Sequence, residues 1–316
     1  MWRIVSAIAC WGALGLFLFS LTPPAREKIN VIERASNSSQ WMTKEELNRR
    51  MYRAIREHFN HKVVYEGILG EGQGAWDFAP RYPTDRVNCI IWLTLVLAEA
   101  YSNTAAEKIG ILDRLRYFDD VVSFGTRKHF VDHWLKIDPA PLLEMGLDKY
   151  TRLLGRKKVK LDYGHFLKSH RYTCHLYKQE VDEFEIEYAD PKGILEVAQK
   201  LPEGYYLFFG VATTKYLERY GKESGPMGLV HGMILELFGE PGGRSNEQMF
   251  VYHASTSAGK VMHENLDKYV TRMTENLHAG YVLYDLNPEW DHSTPLQPSP
   301  EALEIQRCEL NSLQVK

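Results

Sequence analysis

GLVHGMILELF (residues 228–238) and QMFVYHAS (residues 248–255) are the stretches that decide the fold. Both are rich in aromatic and β-branched residues, which is typical of strands, and Pro241-Gly242-Gly243 between them is typical of a turn. They predict an antiparallel hairpin. His231 and His253 both lie eleven residues from position 242. A hairpin folded symmetrically about that position therefore places the two imidazoles opposite each other on one face.

The rest of the chain contains both strand and helix patterns. GYYLFFGVA (204–212) and GYVLYDL (280–286) predict two more strands. Thr43, followed three residues later by Glu46, forms a capping-box pattern that predicts a helix through about His58.

A second helix is predicted from RVNCIIWLTLVLAEAY at residues 86–101, which is apolar on all sides as expected for a buried helix. Cys89 falls in its first turn, and Thr84 or Asp85 is the candidate cap.

Composition limits the class of protein. With 316 residues, 44% of them hydrophobic, the chain can bury one large domain or two small ones. A net charge of −3 provides no basic surface of the kind that binds nucleic acid or anionic lipid, so neither is expected as a main partner. We expect a folded domain at 41–288 and a Pro- and Ser-rich C-terminal tail at 289–316.

The N-terminus indicates export. Arg3 precedes residues 4–21, which carry no charge, so residues 1–25 are predicted to be a signal peptide or an N-terminal membrane anchor. Pro23 and Pro24 leave no clear cleavage site, and both alternatives stay open. Residues 26–40 are a polar linker. The protein is thus expected to be exported, either periplasmic or anchored to the outer face of the cytoplasmic membrane through residues 4–21.

An exported protein tends to pair its thiols, and three cysteines remain after the leader: Cys89, Cys174 and Cys308. Because the number is odd, one thiol is expected to be free and is a candidate reactive group. The alternative is three buried, unpaired cysteines.

Cys89 has the features of a nucleophile. A helix N-terminus and an adjacent imidazole both favour the thiolate. With His231 as base and His253 as orienting group, the hairpin and the helix would supply a complete catalytic set. The alternative is structural, with Cys89 a small core residue and His253 a hydrogen-bonded core histidine.

From about Asp85 to Leu286 the sequence resembles the N-acetylmuramoyl-L-alanine amidase-like branch of the NlpC-type papain-like cell-wall peptidases. The residues that carry the resemblance are the two histidine-bearing stretches, GLVHGMILELF and VYHASTSAGKV, together with Arg116-Tyr117, Arg127-Lys128-His129-Phe130 and Trp134. The chain departs from the family pattern around the cysteine, with Asn88 before it and Ile90-Ile91-Trp92-Leu93 after it.

The resemblance implies an α+β, papain-like fold in which a nucleophile helix packs on an antiparallel β-sheet. It also implies hydrolysis of an amide of peptidoglycan or a muropeptide, between the N-acetylmuramoyl lactyl group and L-alanine, without a cofactor, a metal or an obligate protein partner. Cys89 would be nucleophile, His231 general base and His253 the orienting group. The implied substrate-binding residues are Arg116, Tyr117, Arg127, His129 and Trp134, with Tyr82 as a candidate oxyanion residue.

Three other functions remain open: a stem-peptide endopeptidase of the same fold, a zinc-dependent hydrolase and a non-catalytic cell-wall-binding domain. The zinc hypothesis rests on the four-residue spacing of His129 and His133, with His165, His170 or His175 as further ligands. The HExxH pattern is absent. Finally, basic residues within 155–172 and acidic residues within 180–190 predict a mutually paired surface.

Overall fold

The computed structural model describes residues 42–64, 82, 86–129, 131–136, 141–169, 172, 174, 181–218, 228–274 and 277–314. The predicted leader (1–25) and linker (26–40) lie outside these residues. Within the described residues, no helix combines the length and the apolar character needed to cross a membrane.

Seven helices and ten strands are used below. The helices are α1 (Lys44–Glu57), α2 (Cys89–Tyr101), α3 (Ala105–Arg116), α4 (Tyr163–Ser169), α5 (Pro191–Lys200), α6 (Leu266–Thr274) and α7 (Pro300–Gln314). The strands are β1 (Lys62–Val63), β2 (Arg86–Val87), β3 (Leu142–Glu144), β4 (Leu154–Asp162), β5 (Val181–Ala189), β6 (Gly204–Ala212), β7 (Leu229–Leu237), β8 (Met249–Ser255), β9 (Lys260–Asn265) and β10 (His278–Leu286). All four predicted strands and both predicted helices are therefore present.

The strands form one sheet in the order β2-β1-β9-β8-β7-β6-β10-β5-β4, and β3 also pairs with β10. Every pairing is antiparallel except that of β1 with β2. This mixed, largely antiparallel sheet, together with the helices packed on it, confirms the predicted α+β class.

The sheet separates two hydrophobic clusters. One contains the buried faces of α1 and α2, and the other contains α5 and α6. Residues 91–98 of α2 are buried without interruption, which confirms the prediction of a helix that is apolar because it is enclosed on all sides.

The start of α2 differs from the prediction. Its N-cap is Asn88, whose side-chain oxygen accepts the Ile91 N–H at 2.9 Å. The candidate caps Thr84 and Asp85 were wrong, because Arg86–Val87 runs as an extended strand beside β1 and delays the helix until Cys89. An asparagine oxygen caps a helix as well as a carboxylate does, so the helix start accommodates the departure from the family pattern.

The hairpin of β7 and β8 forms as predicted but in a register displaced by two residues. Met233, rather than His231, is the partner of His253, and the last pair before the loop is Leu237 with Met249. The loop is asymmetric because a 3-10 turn occupies Asn246–Gln248. Side chains alternate with a period of two along a strand, so this displacement leaves both histidines on the same face.

Residues 289–316, described above as a tail, differ from that expectation. Trp290 is buried, and α7 buries Ala302 and Ile305 against the domain. A disulfide joins Cys308 of α7 to Cys174. Cys89 remains as the free cysteine among the described residues, as the odd count predicted.

The opposite charge runs pair across strands β4 and β5. Arg156 lies 3.2 Å from Glu187, and Lys160 lies 2.9 Å from Glu183. These side chains are exposed, so the pairs add little stability, but they confirm the predicted paired surface.

Candidate active site

Cys89 is held at the first residue of α2, where the helix crosses β7. The crossing is close because residue 232 is a glycine: a Cβ there would lie 2.4 Å from a methyl carbon of Leu93. The backbone of Gly232 lies close enough to the Cys89 thiol to lower its pKa. Since Gly232 follows His231 in the chain, the structure brings the predicted nucleophile to the strand that carries the predicted base.

His231 and His253 are in direct contact. Nε2 of His231 lies 3.3 Å from Nδ1 of His253, and the two rings are nearly perpendicular. Pairing of β7 with β8 ends at Met233 and His253, so His231 lies two residues beyond the last pair. The two histidines are therefore diagonal neighbours, and this separation is within reach of aromatic side chains.

The contacts continue across a third strand to Glu264. Nε2 of His253 lies 2.7 Å from a carboxylate oxygen of Glu264, which also forms an ion pair with Arg272 of α6. Val251 is the register partner of Glu264, so this step is diagonal as well. The sequence analysis missed Glu264 because it did not assign β9; the turn residues at 256–259 after QMFVYHAS were the signal that could have revealed it.

Glu264 defines where the protons are. A carboxylate only accepts hydrogen bonds, so His253 donates through Nε2–H and its Nδ1 carries a lone pair. That lone pair accepts the Nε2–H of His231. Nδ1 of His231 is consequently the unprotonated nitrogen, which is the form that a general base requires.

Burial sets the charge of the resting site. It raises the pKa of the Cys89 thiol, against hydrogen bonds from the backbone of Gly232 and Ile90 that lower it. Burial, together with smaller contributions from His253 and Arg272, lowers the pKa of His231 to about 3. Burial and then Arg272 lower the pKa of His253 to about 4. A neutral thiol and neutral imidazoles are therefore favoured over the preformed thiolate that the helix N-terminus suggested.

Aromatic side chains close one side of the histidine pair. The ring of Tyr269 lies 4.9 Å from that of His253, and the buried His278 ring lies 6.3 Å from that of His231. His278 fits there because residue 210 is a glycine, whose Cβ would otherwise lie 2.5 Å from the imidazole. This packing limits water access to the pair on that side.

Three of the residues predicted to bind substrate form one buried cluster. The Arg116 guanidinium donates to the Tyr117 hydroxyl at 3.0 Å, and Tyr117 and Arg127 are bridged through their backbones. The Arg127 guanidinium lies over the Phe124 ring. All three predicted residues are almost fully buried, so they support the loop that contains them.

The other predicted residues are more dispersed. Nε2 of His129 lies 2.9 Å from the carbonyl oxygen of Phe124, next to the cluster. Tyr82 donates to Asp113 of α3 at 2.9 Å, which orients its hydroxyl toward that helix. Trp134 belongs to the 3-10 helix Val131–Lys136, and its side chain lies outside the described part of the chain.

Asp132 connects this region to β7, the strand that carries His231. Its buried carboxylate accepts the backbone N–H groups of Gly228 and Leu229, where β7 begins. Burial raises the pKa of Asp132 to about 7, although these hydrogen bonds oppose the shift. The predicted substrate-binding segment is thus attached to the strand that ends in the His231 site.

The histidines of the zinc hypothesis do not share a helix face. His129 precedes the 3-10 helix that contains His133, and both rings pack against Tyr163. His165 is in α4, and His170 and His175 lie outside the described residues. Across the described ranges, no three His, Cys, Asp or Glu side chains form a group that could hold a metal ion.

The fold and site together define an α+β protein of papain-like architecture, with a cysteine helix packed against a histidine-bearing strand. The sequence model of the AmiA-like family, described as N-acetylmuramoyl-L-alanine amidase-like, matches residues 54–275. This match covers more than half of the chain, and the chain belongs to that family.

Solved structures share the fold at low sequence identity. The protein LPG0564 of Legionella pneumophila str. Philadelphia 1, from the family designated DUF1460, is 15% identical with a TM-score of 0.61, over 81% of this chain and 91% of that one. An N-acetylmuramoyl-L-alanine amidase of Bacteroides uniformis ATCC 8492 is 15% identical with a TM-score of 0.55, over 77% and 99%. No curated protein is significantly similar in sequence.

Proposed function

We propose that this protein is a cysteine amidase that hydrolyses the amide between the N-acetylmuramoyl lactyl group and L-alanine in peptidoglycan. The observation that carries the proposal is the contact series from His231 through His253 to Glu264, on a strand whose Gly232, the residue after His231, lies close enough to Cys89 to lower its pKa. Membership of an amidase-like family supports the substrate class. The amidase named for Bacteroides uniformis, which has the same fold, is consistent with it.

The mechanism follows from the proton positions. Cys89 attacks the lactyl carbonyl while Nδ1 of His231 takes the thiol proton, and the carbonyl oxygen becomes an oxyanion. Backbone N–H groups at the start of α2 are the candidate donors to that oxyanion. His231 then protonates the leaving amino group of L-alanine, which leaves a lactyl thioester on Cys89.

Water completes the reaction. His231 removes a proton from the water that attacks the thioester, and the thiol leaves with that proton restored. The products are the free lactyl carboxylate and a stem peptide with a free L-alanine amino group. Because burial favours the neutral thiol and imidazole, proton transfer accompanies attack instead of preceding it.

We also place this activity outside the cytoplasm. The Cys174–Cys308 disulfide supports that location, because disulfides persist mainly in oxidising compartments. The uncharged residues 4–21 would serve as the export signal or as a membrane anchor.

The test is digestion of purified peptidoglycan followed by mass spectrometry of the products. We expect stem peptides with a free L-alanine amino group and glycan strands with a free lactyl carboxylate. Cys89→Ala should remove this hydrolysis, a loss of about 10⁴-fold or more, and keep the fold. Cys308→Ser with Cys174→Ser is the matched control, because it removes the other thiol chemistry and leaves Cys89 in place.

Three outcomes would contradict the proposal. Cleavage only within the stem peptide would identify an endopeptidase, and wild-type turnover by Cys89→Ala would reject the nucleophile. Inhibition by chelator that zinc restores would favour the metal hypothesis. Under the proposed mechanism, iodoacetamide abolishes activity and chelator leaves it unchanged.

A further inference from the structure

We infer that Glu264 is a positioning residue of this site, one that selects the tautomer of His253 and through it the base form of His231. The inference rests on the proposed cysteine amidase function. It adds a fourth member to the series of Cys89, His231 and His253.

The geometry around Glu264 is that of a fixed acceptor. Its oxygen lies 2.7 Å from Nε2 of His253, a side chain that is 4% exposed. A contact this short to a carboxylate is a charge-assisted hydrogen bond, which is stronger and more directional than one between neutral groups. If the His253 ring turned over, it would lose this hydrogen bond to Glu264.

Helix α6 holds the carboxylate in place. Arg272 pairs with the same Glu264 oxygen, and its guanidinium lies over the ring of Tyr269. Tyr269 in turn packs on His253. At the start of α6, the side chain of Asn265 accepts the Asp267 N–H at 3.1 Å, which fixes the turn between β9 and the helix.

The consequence concerns the contact between the two histidines. Neutral imidazole has one donor nitrogen and one acceptor nitrogen, and His231 and His253 meet at 3.3 Å through one nitrogen each. If His253 carried its proton on Nδ1, two N–H groups would face each other unless His231 changed tautomer as well. If His231 did change tautomer, its proton would move to Nδ1, and the nitrogen that acts as base would be lost.

The alternative role for Glu264 is structural, as the partner that ties Arg272 and α6 to the sheet. The two roles predict different effects of matched variants. Under the structural role, Glu264→Gln and Arg272→Gln break the same ion pair and lower turnover equally. Under the positioning role, Glu264→Gln lowers turnover more than Arg272→Gln does, because Arg272→Gln keeps the carboxylate on His253.

A spectroscopic experiment tests the inference without substrate. In the full chain with ¹⁵N-labelled histidine, wild-type His253 should give the pattern of an imidazole protonated at Nε2. Glu264→Ala should lose that pattern, and Glu236→Gln, which changes another glutamate bonded to a histidine, should keep it. An Nε2–H pattern that persists unchanged in Glu264→Ala would overturn the inference.

Kinetics on a purified muropeptide supplies the second readout. We expect kcat of Glu264→Gln to fall by about 10- to 100-fold at unchanged KM, the usual range for a residue that orients a functional side chain. Glu264→Asp should recover part of the loss, and Glu236→Gln should show wild-type kcat. Equal kcat values for Glu264→Gln and Arg272→Gln would overturn the inference.

The two readouts also separate this inference from the proposed function. If the wild-type protein fails to cleave any muropeptide and the tautomer still changes in Glu264→Ala, the amidase function fails and the positioning of His253 stands. If the wild-type protein is active and Glu264→Ala retains both full kcat and the Nε2–H pattern, only the role of Glu264 fails.

Discussion

Strands β7, β8 and β9 carry two contacts between a histidine and a glutamate, one on each face of the sheet. On the face toward α6, His253 lies 2.7 Å from Glu264. On the face toward the first hydrophobic cluster, His263 lies 3.1 Å from Glu236. The same pair of residue types is therefore built twice from the same three strands, and the pair that includes His253 is the one in contact with His231.

The Glu236 carboxylate is surrounded by hydrogen-bond donors and aromatic rings. It accepts a hydrogen bond from the Tyr205 hydroxyl at 2.6 Å, and the His263 ring stacks on that of Tyr252. Burial raises the pKa of both tyrosines, so both remain protonated donors. The Glu236 carboxylate thus contacts the Tyr205 hydroxyl and the His263 ring, two contacts that stabilise this face of the sheet.

The contact of Glu264 with His253 continues to a further histidine, His231. The unprotonated Nδ1 of His253 accepts the Nε2–H of His231, which leaves His231 with a basic Nδ1. Gly232, the next residue in the chain, lies close enough to Cys89 to lower its pKa. The difference teaches that a His–Glu pair alone does not indicate catalysis. What matters is whether the hydrogen-bonded series ends on a free base at a nucleophile.

The largest expected effect separates the two faces by deleting one histidine from each. His231→Ala should lower kcat by about 10³- to 10⁴-fold, because it removes the group that takes and returns the proton. His263→Ala should keep kcat near wild type, because His263 serves packing. Rates measured on one muropeptide, per folded molecule, provide the comparison. Comparable losses in the two variants would refute the division of roles.

The next effect concerns the orienting residue. His253→Ala should lower kcat by about 100-fold, and His253→Asn by about 10-fold, since an amide oxygen still accepts the Nε2–H of His231. Kinetics of both variants on the same substrate are the measurement. If the asparagine variant is no better than the alanine variant, His231 is oriented by another group.

Part of this site could be read from the sequence and part could not. The apolar run after Cys89 predicted the helix that begins there, because burial on all sides leaves a continuous hydrophobic pattern. The histidines of β7 and β8 were placed on a common face because side-chain alternation survives an even register error. The register itself depends on the 3-10 turn at Asn246–Gln248, which strand patterns do not encode.

Glu264 and the C-terminal helix show more clearly what could not be predicted from the sequence. Glu264 reaches His253 only through a diagonal contact between β8 and β9, so its role depends on tertiary register and not on a local motif. In the C-terminal segment, the Pro- and Ser-rich residues concealed a helix whose Glu309 accepts the backbone N–H groups of Phe124 and Gly125. The contacts of Glu309 are long-range, and a single sequence carries no periodic signal for them. The contact of Glu264 spans one hairpin, but it depends on the register of β8 with β9.

A stability measurement tests the role of Glu236, on the opposite face of the sheet from Glu264. Glu236→Gln should lower the free energy of unfolding by about 1–3 kcal/mol, because a buried acceptor shared by Tyr205 and His263 is weakened. Its kcat per folded molecule should be unchanged. Denaturant unfolding with parallel kinetics is the test, and a loss of turnover larger than the loss of folded protein would connect this cluster to the chemistry.

The smallest expected effect is a displacement of the pH profile. His231 must be neutral to accept a proton, and its pKa is lowered to about 3, as that of His253 is to about 4. Activity should therefore persist below the ordinary histidine range and fall only near pH 3–4. The free energy of unfolding depends on pH in the same direction, since the unfolded chain binds these protons more readily than the folded one. The stabilising contribution of the two neutral histidines is complete above about pH 6.5 and is lost as pH falls through the folded pKa values.

Arg272 lowers both pKa values, so Arg272→Gln should move the acid limb of kcat/KM to higher pH, whereas Arg49→Gln, an exposed change on α1, should not. An acid limb near 6.5 in the wild-type protein would show that the histidine pair is solvated, and the neutral thiol–imidazole mechanism would then give way to a preformed ion pair.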